Sequence, residues 1–411
     1  MISAAVASIA LATGIAAGPF EIERFAPERG RPEIVVAPRP GRRATLVVAF
    51  GAGSVDDGGR SGLVRLAQHA LLSANRRIDF PRLAVEIFAG AGALRIETGL
   101  RDCSFIFTAD RRDFDRLAPR LIEALLEPRL DPDRFEMAVR RATHDGQEPG
   151  RGQSLVTVVA SLATEDPRYW NDPHGDPDQM ESFTTAEVEP LLAGPLSPAN
   201  AIVAAAGSFD RDALLLSVRL HSGGRRQEPG RPPLRLPVQS RRRSAKEVHL
   251  IAYPIRPETA RAAAAAHVLA PLVEEELWRE FRETGVAYSF AATPVPSRWL
   301  DLFVVALPAH DSSSASLGAP LNQVLERVAK GSYPDQSFRL ARATALARIK
   351  RVDRDSEALA AALAAARPPW HGRATAEAVA VLGREALGEE IAAWLSATNS
   401  IRLDAGPTEA P

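Results

Sequence analysis

The chain has 411 residues, 45% of them hydrophobic and 25% charged, which predicts an ordinary soluble globular protein with two or more domains. Its net charge of −1 excludes a global electrostatic attraction to nucleic acid or to anionic membranes. Cys103 is the single cysteine, so internal disulfides and cysteine-rich zinc sites are excluded as well. It stands in a β-prone run and is expected to be buried there as a small apolar side chain.

The N-terminal region holds an alanine-rich apolar stretch, residues 4–17, that resembles the core of a signal peptide. This stretch is too short to cross a bilayer comfortably, and no basic residue precedes it. Residues 1–31 are therefore interpreted as a candidate signal peptide with an N-terminal extension. The protein is expected to be periplasmic or otherwise exported if this segment is a signal, and cytoplasmic otherwise. No other stretch is predicted to span a membrane.

The first predicted domain covers residues 32–224 and opens with β-prone sequence. Apolar and alternating runs predict strands at residues 44–50, 94–98, 104–108 and 201–206. Amphipathic spacing predicts helices at about residues 61–74, 80–89 and 114–126, with another that begins near Asp131. Ser61 is the expected N-cap of the first helix.

A proline- and arginine-rich connector follows, at residues 225–246. Its prolines predict an extended linker, and the run 241–243, three arginines without interleaved aromatic residues, indicates solvated charge rather than a nucleic-acid patch. Residues 247–405 then repeat the order of the first domain: strand, long helix, strands and further helices. The pattern predicts an α+β protein of two homologous domains, each a mostly antiparallel sheet with helices on one face, arranged as a clamshell.

The first helix has the outline of a metal site without its ligands. An inverted zinc-peptidase helix reads His-x-x-Glu-His, in which two imidazoles one turn apart share the ion and the glutamate acts as general base. The corresponding positions here are Arg65, Gln68 and His69. A guanidinium only donates hydrogen bonds and repels a cation, and an amide does not take up a proton at neutral pH. The plainer interpretation is one polar face of a helix.

An ordered set of short segments resembles the M16 peptidase family, which includes pitrilysin, insulinase and the mitochondrial processing peptidases. None of the segments is specific by itself, but together they cover nearly the whole chain after residue 30 in family order. They are residues 51–54, Asp57, 61–63, 69–72, 90–94, 127–130, 198–202, 207–210 and 282–288.

The resemblance implies a zinc site and a peptide site, and only parts of either are present. The family's third zinc ligand, a glutamate, falls at Ala142 or Thr143, so zinc is expected to be lost and no catalytic residue is assigned. The family's substrate-binding Arg/Tyr pair corresponds best to Arg282 and Tyr288, although the family spacing is one residue longer. The alternative interpretation is a helix-terminal cation beside a half-buried strand residue.

Family members also bind substrate as an added strand on an exposed sheet edge. The matching edge here begins with Ala93, Leu94 and Arg95 and runs to Thr98. Such pairing uses the backbone and does not depend on particular side chains. The alternative interpretation of this segment is an ordinary strand that is paired on both sides.

The resemblance therefore implies a non-catalytic subunit that pairs with an active zinc peptidase chain and helps to enclose or bind peptide. Two alternatives stay open: a stand-alone peptide-binding or scaffold protein, and an active metallopeptidase with an altered metal site. An M16-type partner and peptide or unfolded polypeptide are the expected interactions, and nucleic acid is not.

Overall fold

The computed structural model describes residues 21–146, 155–227, 233–243, 247–284, 290–297, 299–309, 318–365 and 370–406. Within these ranges the chain forms two mixed β-sheets with helices around them. The strands are β1 (Glu23–Phe25), β2 (Glu33–Pro38), β3 (Arg43–Phe50), β4 (Ala93–Thr98), β5 (Cys103–Asp110), β6 (Ala201–Gly207), β7 (Val238–Arg243), β8 (Glu247–Ile255), β9 (Ala291–Val295), β10 (Asp301–Ala309) and β11 (Ile401–Gly406).

The two longest of the described helices, of 25 and 20 residues, lie in the second half. The helices are α1 (Leu63–Ser73), α2 (Phe80–Ala89), α3 (Arg111–Leu126), α4 (Phe135–Gly146), α5 (Leu155–Leu162), α6 (Pro177–Met180), α7 (Thr185–Ala193), α8 (Arg211–Arg219), α9 (Ala260–Thr284), α10 (Gly318–Ala329), α11 (Asp335–Arg354), α12 (Ser356–Ala365), α13 (Arg373–Val381) and α14 (Arg384–Trp394).

The first sheet has the strand order β1-β2-β6-β3-β5-β4. Only β2 and β6 run parallel, and the other neighbours are antiparallel. Its central strand β3 is apolar on both faces because both faces are covered. Leu46 and Val48 pack with the helices of the first half, whereas Val47 and Ala49 belong to a second apolar cluster on the opposite face.

The second sheet, with the order β7-β11-β8-β10-β9, repeats the first. Its β7 and β11 are parallel, as β2 and β6 are, and its remaining neighbours are antiparallel. Five strands of each sheet therefore correspond in order and direction. The repetition that the sequence pattern predicts is present in the fold, and the α+β class is confirmed.

One helix of each half lies on the sheet of the other half. Leu359 and Leu363 of α12 pack against Val35 and Val47, on the face of the first sheet that lies opposite the helices of the first half. In return, Val159, at the corresponding place in α5, packs on the second sheet. The sequence predicts helices on one face of each sheet. The second face is covered as well, since its apolar side chains must also leave water.

Polar contacts fix the first turn of α12 on the first sheet. The Ser356 hydroxyl lies 3.3 Å from that of Thr45, and Thr108 donates a 3.2 Å hydrogen bond to Glu357. The other carboxylate oxygen of Glu357 is 2.6 Å from the Arg95 guanidinium on β4. The two halves thus meet through a packed apolar face with a polar border.

Part of the predicted connector is regular structure. Residues Val238–Arg243, which include the arginine run predicted to be solvated linker, form β7 at the edge of the second sheet. A strand at an edge needs only backbone hydrogen bonds on one side, and charged side chains are common there. Cys103 is buried, as predicted. No helix in the described part of the chain is long and apolar enough to cross a membrane.

Candidate functional site

One buried carboxylate, that of Asp57, binds the backbone N–H groups at the start of helix α1. Both oxygens of Asp57 accept backbone hydrogen bonds of 2.8 Å, one from Gly62 and one from Val64. Gly62, with φ of +99°, is the N-cap, and not Ser61 as predicted, because the chain enters the helix through a left-handed conformation that favours glycine. Burial raises the pKa of Asp57 to about 6, although the backbone hydrogen bonds oppose this shift.

Arg65, at the first zinc-ligand position, is buried in the interior. It is 3% exposed, and its Nε donates a 3.2 Å hydrogen bond to the carbonyl oxygen of Ala142. That carbonyl lies near the carboxyl end of α4, where a cation interacts favourably with the helix dipole. Arg65 is therefore hydrogen-bonded to Ala142, one of the two residues, with Thr143, at which the resemblance places the third ligand.

Gln68, at the position of the general base, is equally buried and ties α1 to the edge of the first sheet. Its amide nitrogen donates a 3.2 Å hydrogen bond to the carbonyl of Glu97. Its amide oxygen accepts a 2.6 Å hydrogen bond from the hydroxyl of Thr98. The amide nitrogen and the amide oxygen of Gln68 thus both hold β4. A carboxylate general base at this position would lack the N–H donor of the first of these hydrogen bonds.

These residues do not fit the zinc ion that the motif position suggests. His69 is 2% exposed and offers one imidazole, but Arg65 offers donors only and Ala142 has no ligand atom in its side chain. In the described part of the chain, no group of three or more His, Cys, Asp or Glu side chains could hold a metal ion.

Strand β4 is the outer strand of the first sheet and pairs with β5 alone among the described strands. Ala93, Leu94 and Arg95, the candidate peptide-binding residues, stand at its start. Leu94 packs toward the helices, whereas Arg95 points to the opposite side and meets Glu357. The edge that the sequence predicts to receive an added strand is present.

The second candidate pair is only partly described. Arg282 lies in the last turns of α9, but its side chain is outside the described residues, and so is the whole of Tyr288. The structure therefore does not test whether the pair faces the edge of the first sheet, and this stays a prediction.

A cavity of about 420 Å³ opens beside β4 and α1, and we name it the basic cavity. Its walls include Arg65, His69, Arg141, His174 and Phe80. His174 is brought there by a close approach of two glycines. A Cβ on Gly175 would lie 2.5 Å from the Cα of Gly62, so the loop rests directly on the start of α1.

A larger cavity of about 600 Å³, the inner cavity, lies on the face of the first sheet that α12 covers in part. Val47, Ile106 and Ile202 form its floor, and Trp299 from the second half stands at its side. Trp299 packs on Tyr169 with ring centroids 5.6 Å apart. Sequence reasoning missed this cavity, because only the contact between the halves brings these residues together.

No protein-family model and no curated protein sequence is a significant match to the chain. Solved structures, in contrast, match over almost its whole length, and they show that the chain has the M16 peptidase fold.

Among them is the peptidase M16 inactive domain from Pseudomonas fluorescens, with a TM-score of 0.75 and 15% identity, covering 95% of this chain and 98% of that one. A protease from Helicobacter pylori has a TM-score of 0.72 and 13% identity, covering 95% and 100%. The first half of the periplasmic protease PqqL from Escherichia coli has a TM-score of 0.72 and 12% identity, covering 96% and 94%.

Proposed function

We propose that this chain is a non-catalytic M16-type subunit that pairs with an active zinc peptidase chain and helps to enclose and bind its peptide substrate. The observation that carries the proposal is the Arg65 hydrogen bond to Ala142, which places a buried guanidinium at the first ligand position and beside the expected place of the third, Ala142 or Thr143. A metal centre could not form there without displacing a buried guanidinium. The outer side of β4, which pairs with none of the described strands, supports a retained role in binding peptide.

The comparisons support the same proposal at the level of the fold. The Pseudomonas fluorescens structure is described as an inactive M16 domain, and this chain corresponds to one half of the two-part periplasmic protease PqqL, covering 48% of its full chain. A chain of this size supplies one half of such an assembly. Export to the periplasm fits the apolar N-terminal stretch and is part of the proposal.

The test mixes the purified chain with a zinc peptidase chain of the same fold that has an intact His-x-x-Glu-His motif. We expect a one-to-one complex in size-exclusion chromatography with mass measurement, and altered cleavage of an unfolded peptide. An unrelated protein of equal mass is the control. The proposal is wrong if the two chains elute separately and cleavage by the active chain stays the same.

A stand-alone peptide-binding protein is the second candidate, and the exposed edge of β4 favours it equally. The two candidates separate in a binding experiment on the isolated chain. Anisotropy of a labelled unfolded peptide would rise with the isolated chain and fall back in the Tyr288→Ala variant if the chain works by itself. Binding that appears only in the mixture supports the subunit.

A further inference from the structure

The walls of the basic cavity are rich in hydrogen-bond donors and poor in acceptors. Arg65 and Arg141 line it together with His69 and His174. Arg95 borders it from β4 with its guanidinium on the other face of the sheet, and Glu97 is the single acidic residue among the described lining residues. Arg95 is compensated by Glu357 across the interface between the halves. Arg65 is fixed by the carbonyl of Ala142. Arg141 forms no ion pair with the side chains that the structure describes.

Arg141 is held in place by an aromatic ring and not by a carboxylate. Its guanidinium carbon lies 4.6 Å from the centroid of the Phe80 ring, a stacking that leaves the in-plane N–H donors available. No carboxylate among the described side chains lies within ion-pair distance of it, and the side chain of Asp145, one turn further along α4, is outside them. Its neighbour Arg140, in contrast, is exposed and paired with Glu136.

His174 adds a second donor or acceptor from another wall of the cavity. Its Nδ1 is buried and has no hydrogen-bond partner among the described residues. A buried polar atom without a partner is costly, and such atoms commonly mark a place that a ligand completes. Arg141 and this imidazole come from α4 and from the loop before α6, so the cavity has polar groups on two sides.

The third observation is the position of the cavity beside the outer edge of β4. Leu94, Ile96 and Thr98 line it, so a chain that adds to this edge would pass its mouth. We infer that the basic cavity binds a carboxylate of a peptide that pairs with β4. A planar guanidinium accepts a carboxylate through two parallel hydrogen bonds, which provides both charge and orientation.

This inference rests on the proposed peptide binding and adds the chemical class of the peptide. A carboxylate can come from the peptide C-terminus or from an acidic side chain, and both present the same group to Arg141. A cavity of about 420 Å³ has room for a terminal residue or for a glutamate side chain.

The experiment measures anisotropy of labelled unfolded peptides with the full chain, alone and in its complex. Four matched peptides are used: one with a free C-terminus, its C-terminal amide, and each of these with an internal glutamate in place of glutamine. We expect at least one carboxylate to tighten binding about ten-fold, since hydrogen bonds to charged groups are the strong ones. The peptide that shows the gain identifies the source of the carboxylate. Equal affinity for all four peptides overturns the inference.

Variants assign the effect to the cavity. Arg141→Gln is expected to remove the preference for the carboxylate, Arg141→Lys to keep part of it, and Arg140→Gln on the exposed side of α4 to keep all of it. If Arg141→Gln does not fold, as judged by circular dichroism, the lysine variant and the amide peptides still decide the question. A preference that survives in a folded Arg141→Gln protein contradicts the inference.

The outcome is separable from the proposed function. Pairing with a catalytic chain is measured by co-elution, which Arg141→Gln should leave unchanged because the residue lines the cavity. Co-elution without a carboxylate preference therefore rejects this inference and keeps the proposed function. If the chain does not co-elute with the catalytic chain but still prefers peptides with a carboxylate, the proposed function is rejected and this inference is kept.

Discussion

The two halves of the molecule share a topology and differ in what they bury. The helix that follows the central strand of the first half, α1, buries Arg65, Gln68 and His69. Its counterpart in the second half, α9, buries an alanine-rich apolar face, with Ala263 and Ala266 fully covered, together with Glu276. The same topology therefore carries a mainly apolar helix in one half and a helix with three neighbouring buried polar residues in the other.

A second difference lies in how these helices begin. Asp57, a buried carboxylate, accepts the first N–H groups of α1, whereas the hydroxyl of Thr259 accepts the N–H of Ala262 at the start of α9. The first helix is therefore capped by a group that titrates and the second by one that does not. Four experiments test these contrasts, from the largest expected effect to the smallest.

The largest effect on stability is expected for α12, the helix of the second half that packs on the first sheet. Leu359 is fully buried between the halves, so Leu359→Ala leaves a cavity and should lower the free energy of unfolding by about 2–5 kcal/mol. Urea denaturation measures it. The control is Leu340→Ala, where the side chain is 51% exposed and a change within about 0.5 kcal/mol is expected. Equal effects of the two variants would mean that α12 does not pack as described.

The caps of the two helices should respond differently to pH. The folded-state pKa of Asp57, about 6, is above the ordinary 3.8, so the folded protein binds this proton more tightly. Its contribution is complete below about pH 4 and is lost as the pH rises through 6, by up to about 3 kcal/mol. The stability difference between wild type and Asp57→Asn should fall accordingly in urea titrations from pH 4 to 7.

Thr259→Ala provides the contrast in the second half. Loss of a neutral N-cap should cost about 1 kcal/mol at every pH in that range. A pH-independent difference for Asp57→Asn, parallel to that of Thr259→Ala, would contradict the assignment of a buried titrating cap to the first half only.

Arg65→Met probes the residue that takes the place of the first ligand. Methionine keeps most of the apolar volume but leaves the Ala142 carbonyl without its donor, which should cost about 1–3 kcal/mol. Thermal or urea unfolding measures the change against Arg140→Met on the exposed face of α4, expected within about 0.5 kcal/mol. If Arg65→Met is neutral, the guanidinium is not part of the packing between α1 and α4.

The smallest difference is expected between probes of the two halves during unfolding. Cys103, buried in the first half, reports through thiol labelling, and Trp370 and Trp394, buried in the second half, report through fluorescence. Because α5 and α12 exchange between the halves, both signals should change at the same urea concentration. Two separated transitions would show that the halves are independent folding units.

The sequence predicts elements whose signal is local. The run of β3 and the amphipathic α3 are each visible as a pattern of neighbouring residues, and the structure has them close to the predicted bounds. The polar face of α1 is also a local pattern, since Arg65, Gln68 and His69 lie one turn apart.

Contacts between distant segments could not be predicted in this way. The exchange of α5 and α12, the inner cavity and the pairing of β7 with β11 depend on residues about 100 or more positions apart. The same holds for the cap of α1, where Asp57 overrides the nearer Ser61 because it reaches two backbone N–H groups from a buried position. The hydrogen bonds of Gln68 to Glu97 and Thr98 could be recognised only once the position of β4 in the sheet was known.

The central claim is that the first half no longer forms a metal centre. It is tested most directly by measuring the metal content of the purified full chain after dialysis against a zinc buffer. The account predicts far less than one zinc per chain, unchanged by His69→Ala. One equivalent of zinc per chain that disappears in His69→Ala would contradict it and would restore the metallopeptidase with an altered site.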